Sequence, residues 1–278
     1  MTEGAPAGFM DAVLVAVAED LAARGAVSLF VRVHPILDQD LAGPDGALLR
    51  HGVTAAVDLR LSDEELWART RKDHRRQIKR AREHGLAATF ADISELDRFA
   101  DLYRGTMLRV GAADLYHFTE RYFARLHEAL GERFNLVFVR DPAGHVLSAG
   151  LFTETDGIVQ AHLSATDHAF GPDTAAATKL MDHTVRGWAK ERGNRWLHLG
   201  GGRGAREDSL LHYKLGFATH QLPYSTIRLV LDQVAYDELV QAMDPTADAH
   251  HLEGFFPLYR AGDGALRPAF LQESRERD

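Results

Sequence analysis

The sequence predicts an α/β chain built around a mixed sheet (an α+β arrangement of interleaved helices and strands), and three observations carry that prediction. Three short β-rich runs, 135–140, 146–153 and 158–164, are separated only by turn residues, Asp141-Pro142-Ala143-Gly144 and Asp156-Gly157. Such spacing reads as an antiparallel meander. A helix at about 174–192 follows, opened by Pro172-Asp173 and closed by Gly193, in keeping with Pro at helix starts and Gly past helix ends. Beyond it the chain reads strand (195–199), glycines, short helix and strand (225–231).

The remaining elements follow in order. Residues 9–23 carry apolar positions at helical spacing and stop at Gly25. Val27 to Val33 is a β-branched strand ended by His34-Pro35, because proline cannot donate to a ladder. The segment 38–46 is a loop, and Val53 to Leu59 is a second strand. Ser62-Asp63-Glu64-Glu65 has the form of a capping box, so one helix is expected from there to Gly85. A strand at 86–91 and helices at about 94–108 and 117–130 lead into the meander. No solenoid repeat or low-complexity tract is present.

Composition narrows the function. The 278 residues contain no cysteine, which removes disulfides, thiolate nucleophiles and Cys-ligated metals. The N-terminus lacks a basic n-region and no apolar run is long enough to span a bilayer, so a cytoplasmic protein without membrane insertion is expected. The net charge is -8, yet Arg69 to Arg82 holds eight Lys or Arg in fourteen residues. That stripe is either a solvated helix face or a contact for phosphates.

The most informative stretch is Gly193 to Phe217. A strand runs into Gly200, Gly201 and Gly202, read as a glycine turn, and Lys214 follows just before Gly216-Phe217. Glycines let a backbone or a substrate approach closely, and Lys214 can place a cation in that gap. The alternative is that Lys214 is an exposed lysine at a helix C-terminus. Asp208 and His212 are candidates for proton transfer, or are plain helix-terminal polar residues.

The order of elements over 86–232, with residues 66–86 (LWARTRKDHRRQIKRAREHGL), Leu102–Gly111 and Asp208-Ser209-Leu210-Leu211-His212-Tyr213-Lys214-Leu215-Gly216-Phe217, resembles the Fem family of the GNAT acyltransferase superfamily. The resemblance covers roughly residues 27–235. It implies a GNAT fold in two GNAT-like lobes with a channel between them. The first lobe, 1–85 completed by 236–278, is expected to be truncated and degenerate. The second, 86–235, is expected to be the transferase lobe. Members transfer an amino acid from aminoacyl-tRNA to an amine of a cell-wall precursor or small peptide product, so the co-substrate expected here is aminoacyl-tRNA, with no other cofactor. The partner would be a small peptide or amine acceptor, such as an antibiotic intermediate.

The resemblance also assigns residues. An aromatic–lysine pair before the late glycine is tied to catalysis, which makes Tyr213 and Lys214 the catalytic candidates; the family often has Phe where Tyr213 stands. Substrate contacts are expected from Tyr103, Arg109, His162, Gly200, Gly201, Asp208 and Tyr224. Contacts to tRNA are expected from Arg71, Lys72, Arg75, Arg76, Lys79 and Arg80.

Competing constellations are thin. The 15 histidines form no H-E-x-x-H, and His250-His251 lies in a polar segment, so no metal site is expected. Neither a P-loop nor a G-x-S-x-G motif is present. Before the 174–192 helix, where a GNAT enzyme would cradle pyrophosphate, the chain reads Asp167-His168-Ala169-Phe170-Gly171-Pro172-Asp173. Pro172 removes an N–H that a phosphate would use, which counts against acyl-CoA as donor. Acyl-CoA N-acylation and a non-catalytic binding role are the alternatives.

Overall fold

A computed structural model describes residues 6–37, 41–44, 46–244, 246 and 254–261. The elements in chain order are α1 (Phe9–Ala23), β1 (Ser28–Val33), β2 (Leu48–Asp58), α2 (Asp63–Arg69), α3 (Lys72–Glu83), β3 (Ala87–Ala91), α4 (Leu96–Arg109) and α5 (Glu120–Leu130). Then come β4 (Phe134–Arg140), β5 (Val146–Thr155), β6 (Ile158–Thr166), α6 (Pro172–Glu191), β7 (Trp196–Gly201), α7 (Ser209–Leu215), β8 (His220–Val230) and α8 (Gln233–Met243). The result is the mixed α/β architecture expected.

The chain divides into two compact units. One comprises Thr54–Gly202 and Asp208–Gln221, the other Met1–Val53, Arg203–Glu207 and Leu222–Asp278. In the larger unit the strand order is β2-β7-β6-β5-β4-β3. Only β6 and β7 run parallel; the other pairs are antiparallel. The meander forms as its turns require: Asp156 and Gly157 both adopt positive φ (49° and 78°), the backbone of a tight hairpin turn.

Two cores cover the faces of this sheet. On β4, Val137 and Val139 join a cluster with Ile78, Ala81, Leu180, Val185 and Phe217, under α3, α6 and α7. Leu136 and Phe138 join Phe99, Tyr103 and Phe123 under α4 and α5. Alternate residues of one strand enter different clusters, so the clusters lie on opposite faces.

In the smaller unit β1 pairs antiparallel with β8, from Ser28 opposite Val230 to Val33 opposite Ser225. Its cores gather Leu14, Val33, Leu41, Ala47 and Ile227, and Tyr236, Val240 and Phe256.

Several expectations need correction. The single helix expected from Ser62 to Gly85 is two helices. Its capping box is present, with Ser62 Oγ accepting from Glu65 N–H. Thr70 and Arg71 are extended, with ψ of 131° and 140°. Their break is stabilised by Arg75, whose guanidinium donates to the carbonyls of Trp67, Ala68 and Thr70 at 3.1, 2.7 and 2.8 Å. Arginine thus caps α2 where the next turn would have done. Helices α2 and α3 also pack in the larger unit through Leu66, Ile78 and Ala81, and that unit begins at Thr54. Gly200 and Gly201 end β7 and are not in a turn. Strand β2 begins at Leu48, earlier than expected. Helix α8 was not foreseen; Asp232 caps it, and Tyr236 and Val240, four apart, bury its inner face. Within 236–278 and the 38–46 loop, residues 245, 247–253 (His250 and His251 among them), 262–278, 38–40 and 45 lie outside the described residues.

Candidate active site

The site begins where two parallel strands separate. β6 and β7 pair at Ile158–Trp196, Val159–Leu197 and Gln160–His198. Beyond these pairs β6 continues to Thr166 and β7 to Gly201, with no further pairing between them among the described residues. His198 Nδ1 and Gln160 Oε1 meet at 2.5 Å at the fork. Two residues further on β6 is a bulge. Leu151 faces Leu163 while Phe152 faces Ala161, so His162 is the extra residue. A bulge re-aims a side chain and bends the strand. Here His162 Nε2 meets the Tyr122 hydroxyl of α5 at 2.8 Å, and burial lowers its pKa.

Lys214 reaches the end of the other strand. Its ammonium donates to Gly201 O at 2.8 Å. A Cβ on Gly200 would stand 3.4 Å from Lys214 Nζ, and Gly200 has φ of +79°; glycine gives the ammonium its berth and lets the end of β7 adopt a left-handed backbone. Burial pushes the Lys214 pKa down, while Asp182 and Asp208 oppose that shift. Asp208 caps α7 by accepting from Leu211 N–H at 2.9 Å.

Tyr213 points elsewhere. Its hydroxyl donates to Asp182 Oδ2 on α6 at 2.6 Å. Burial raises Asp182 to about 6, against the Tyr213 hydrogen bond and the Lys214 and Lys179 charges. Tyr213 itself is pushed well above its ordinary value by burial and by Asp182. The ammonium of Lys179 lies 5.3 Å from the Tyr213 ring centre and 3.4 Å from Gln77 Oε1 of α3. His74 packs against both Tyr213 and Phe217, with ring centres 5.3 and 4.7 Å apart. Burial, first, and the Lys179 and Arg71 charges hold His74 neutral, with its pKa at about 4.

The six cations proposed for tRNA fall into two groups. Arg75 is spent on the α2 carbonyls. Arg71 donates through its guanidinium to His212 O at 2.8 Å and through its backbone to Gly216 O at 2.8 Å. Lys72, Arg76, Lys79 and Arg80 are exposed. Arg76 pairs with Asp73 at 2.8 Å, and Arg80 with Asp173 at 3.1 Å. Such surface pairs hold side chains weakly and can open to another anion.

The proposed substrate residues are also divided. Tyr103, Arg109 and His162 lie on the α4–α5 face. Tyr103 is 2% exposed, and burial, with Tyr122 and Tyr116 beside it, lifts its hydroxyl to about 12. It lines an open pocket of about 500 Å³ with Arg104, His117, Phe118, Glu120 and Arg121. Phe118 stacks on Tyr122 at 4.1 Å, which links the pocket wall to His162. Arg109 donates to Thr166 Oγ1 at 3.2 Å. Tyr224 belongs to the smaller unit, where its ring lies 5.6 Å from His51. Gly200 and Gly201 are at the Lys214 ammonium, and Asp208 is at the head of its helix.

At the start of α6, Pro172 occupies the first turn. Asp173 sits there too, bound by Arg80 and by His84 at 3.3 Å. The first turn of α6 therefore already carries a carboxylate, paired with side chains of Arg80 and His84. Among the described residues no group of three or more His, Asp or Glu could hold a metal, and no helix is long and apolar enough to cross a membrane.

Comparison with known proteins adds the family. The model of the acetyltransferase (GNAT) domain matches residues 68–215, more than half of the chain, including the fork, α6 and Lys214. The chain belongs to the GNAT acetyltransferase family. Membership makes it a transferase, and the Fem-type fold is shared with solved structures. The structure of FemX superposes with a TM-score of 0.66 at 17% identity, over 82% of this chain and 78% of that one. The C-terminal domain of a putative lysylphosphatidylglycerol synthetase from Agrobacterium fabrum gives 0.54 at 15% identity, over 78% and 72%. A conserved protein of unknown function from Bacteroides thetaiotaomicron gives 0.52 at 15% identity, over 79% and 75%. At these identities the likeness is one of fold. No curated protein matched by sequence.

In this GNAT chain the residues missed from sequence are Asp182, Lys179, His74 and Gln77. Asp182 and Lys179 sit in a mid-helix pattern that reads as a solvent face, yet each is only 7% exposed. His74 lies inside the basic stripe, where its neighbours mask it. The one available signal is spacing: His74 and Gln77 share the α3 face that carries Ile78 and Ala81 inward.

Proposed function

We propose that this GNAT transferase moves an amino acid from aminoacyl-tRNA to the amine of a small peptide, antibiotic intermediate or cell-wall precursor. The observation that carries it is the Lys214 ammonium, held by a hydrogen bond to Gly201 O at 2.8 Å. The acceptor amine attacks the ester carbonyl, a C–N bond forms, and the bond to the tRNA ribose oxygen breaks. The proton lost by the amine ends on that ribose hydroxyl. Lys214 faces the oxygen on which charge builds. Removing one such donor typically costs about 100- to 1,000-fold in rate. An aminoacyl ester is already activated, so no strong base is required; Asp208 is engaged as the cap of α7.

The donor assignment draws support from two places. The exposed α3 face of Lys72, Arg76, Lys79 and Arg80 suits a polyphosphate backbone, and the Fem-type fold is of a kind with FemX. At α6, Pro172 and the paired Asp173 disfavour a pyrophosphate. The acceptor would enter the pocket beside Tyr103, with Arg109 and His162 near it. No cofactor beyond the co-substrate is invoked, and a cytoplasmic setting suits a tRNA donor. The second reading is an acyl-CoA N-acyltransferase, favoured by the description of the family itself.

The test is to offer the protein total charged tRNA or a set of acyl-CoAs, each with mixed amine acceptors. Loss of the aminoacyl ester that depends on acceptor, without release of free CoA, is the expected result. Release of CoA without ester loss selects the second reading.

A further inference from the structure

Tyr213 and Lys214 are neighbours on a seven-residue helix, yet their polar ends go to different partners. Lys214 reaches β7 at Gly201 O, 2.8 Å away. Tyr213 reaches Asp182 Oδ2 of α6, 2.6 Å away. Because the two residues share a backbone, fixing one fixes the direction from which the other extends. Tyr213 is fixed at its hydroxyl by Asp182. Its ring is packed by His74 of α3 and lies under the Lys179 ammonium.

The next turn of α7 is held as firmly. A Cβ at Gly216 would stand 2.1 Å from His74 Cε1, so the imidazole occupies the space that any other residue would need. His74 is 2% exposed, and its Nδ1 has no hydrogen-bond partner among the described residues. It acts there as a flat apolar ring. Arg71 adds its two bonds to His212 O and Gly216 O. A phenylalanine in place of Tyr213 would pack against His74 equally well but would leave Asp182 a buried carboxylate without a donor. Tyrosine and aspartate are therefore a matched pair in this chain.

We propose that Asp182 is a positioning residue, which through the Tyr213 hydroxyl, and with His74 packing the same ring, sets the orientation of α7 from which Lys214 presents its ammonium to the reacting carbonyl. This rests on the role given to Lys214 above. The groups that face the pair are Lys214 on α7, Lys179 on α6, and Asp73, His74 and Arg71 on α3. Asp182 is ionised above a pH of about 6, and only then does it accept from Tyr213 as an anion. As pH falls through about 6, the carboxylate protonates and the anionic hold on Tyr213 is lost, so transfer by the native chain should slow there.

The experiment uses the full chain carrying Asp182→Asn, Tyr213→Phe, or both. Lysine labelled with ¹³C at Cε reports the Lys214 resonance and its titration without any substrate. Steady-state transfer from charged tRNA reports kcat and KM. Each single variant should shift the Lys214 resonance and lower kcat by about 10- to 100-fold, the scale of a small misplacement, with KM for tRNA unchanged. The double variant should be no worse than the poorer single, because both changes break one contact. The acid limb near pH 6 should vanish in Asp182→Asn. An unmoved Lys214 resonance in both singles, or losses that multiply in the double, would overturn the positioning role. If Asp182→Asn does not fold, the Lys214 resonance in Tyr213→Phe decides alone. A shifted Lys214 in a protein whose native form takes nothing from charged tRNA upholds the positioning contact and removes the donor assignment instead.

Discussion

The two faces of α3 are unlike each other. Outward it shows Lys72, Arg76, Lys79 and Arg80 to solvent. Inward it presents His74, Gln77, Ile78 and Ala81, and these hold the lysine helix α7 and the buried Lys179 of α6. A charge count along the stripe treats all its cations alike. The structure separates those that can meet a ligand from those, Arg71 and Arg75, that bind backbone carbonyls. The lesson is that a basic run can carry a binding face and a structural face on one helix.

The largest effect belongs to the group that the inward face positions. Lys214→Ala should keep its thermal transition and lose about 100-fold or more in transfer rate, the scale of one oxyanion donor. Lys214→Arg should recover only part, since a planar guanidinium does not reproduce a compact ammonium. Near-native turnover in Lys214→Ala would leave Lys214 a helix-terminal residue.

Next is the contact between His74 and Gly216. Gly216→Ala should cost about 1–3 kcal/mol, the range for overpacking a filled site. The same change in a His74→Ala background should cost less, because the ring it strikes is gone. Equal costs in the two backgrounds, measured by urea unfolding, would show that the ring is not what demands glycine.

Acid should also reach the inward face. His74 and His183 are held near a pKa of about 4 by burial. A histidine depressed on folding contributes stability that is complete above its unfolded value of about 6.5 and is lost as pH falls through the folded value. Stability should therefore decline between pH 6.5 and 4, with a slope of up to about 1.4 kcal/mol per pH unit for each histidine. His74→Leu should flatten part of that slope. An unchanged slope in chemical unfolding at pH 5 and 7 would place the acid loss elsewhere.

The outward face should be the gentlest to the fold. Lys72, Arg76 and Lys79 changed together to Glu should leave stability within about 0.5 kcal/mol, as exposed substitutions do. The same protein should lose salt-sensitive tRNA binding, its log K falling less steeply with log salt by about 2 to 3. An unaltered salt slope would remove this face as the tRNA contact.

Much of the fold was legible because its elements are punctuated locally. The meander is bounded by Asp141–Gly144 and Asp156-Gly157, α6 by Pro172 and Gly193, and α2 by its capping box. The break at Thr70–Arg71 was not, since what stabilises it is Arg75 folding back on α2. Helix α8 was missed although Asp232 and the Tyr236–Val240 spacing announce it. In the site, Lys214 was legible from its place before Gly216-Phe217. Asp182 and His74 were not, because a mid-helix carboxylate and a histidine within a basic run become distinctive only when folding brings them to the same tyrosine. The bulge at His162 likewise exists only in the pairing of β5 with β6.

The measurement that most directly tests the division of α3 is steady-state transfer from charged tRNA, over a range of tRNA concentrations, by two variants side by side. Lys72→Glu/Lys79→Glu alters the outward face, and His74→Ala the inward one. The expected result is a raised KM with kcat kept in the first, and a lowered kcat with KM kept in the second. Both variants changing the same parameter would contradict the separation of donor binding from the positioning of Lys214.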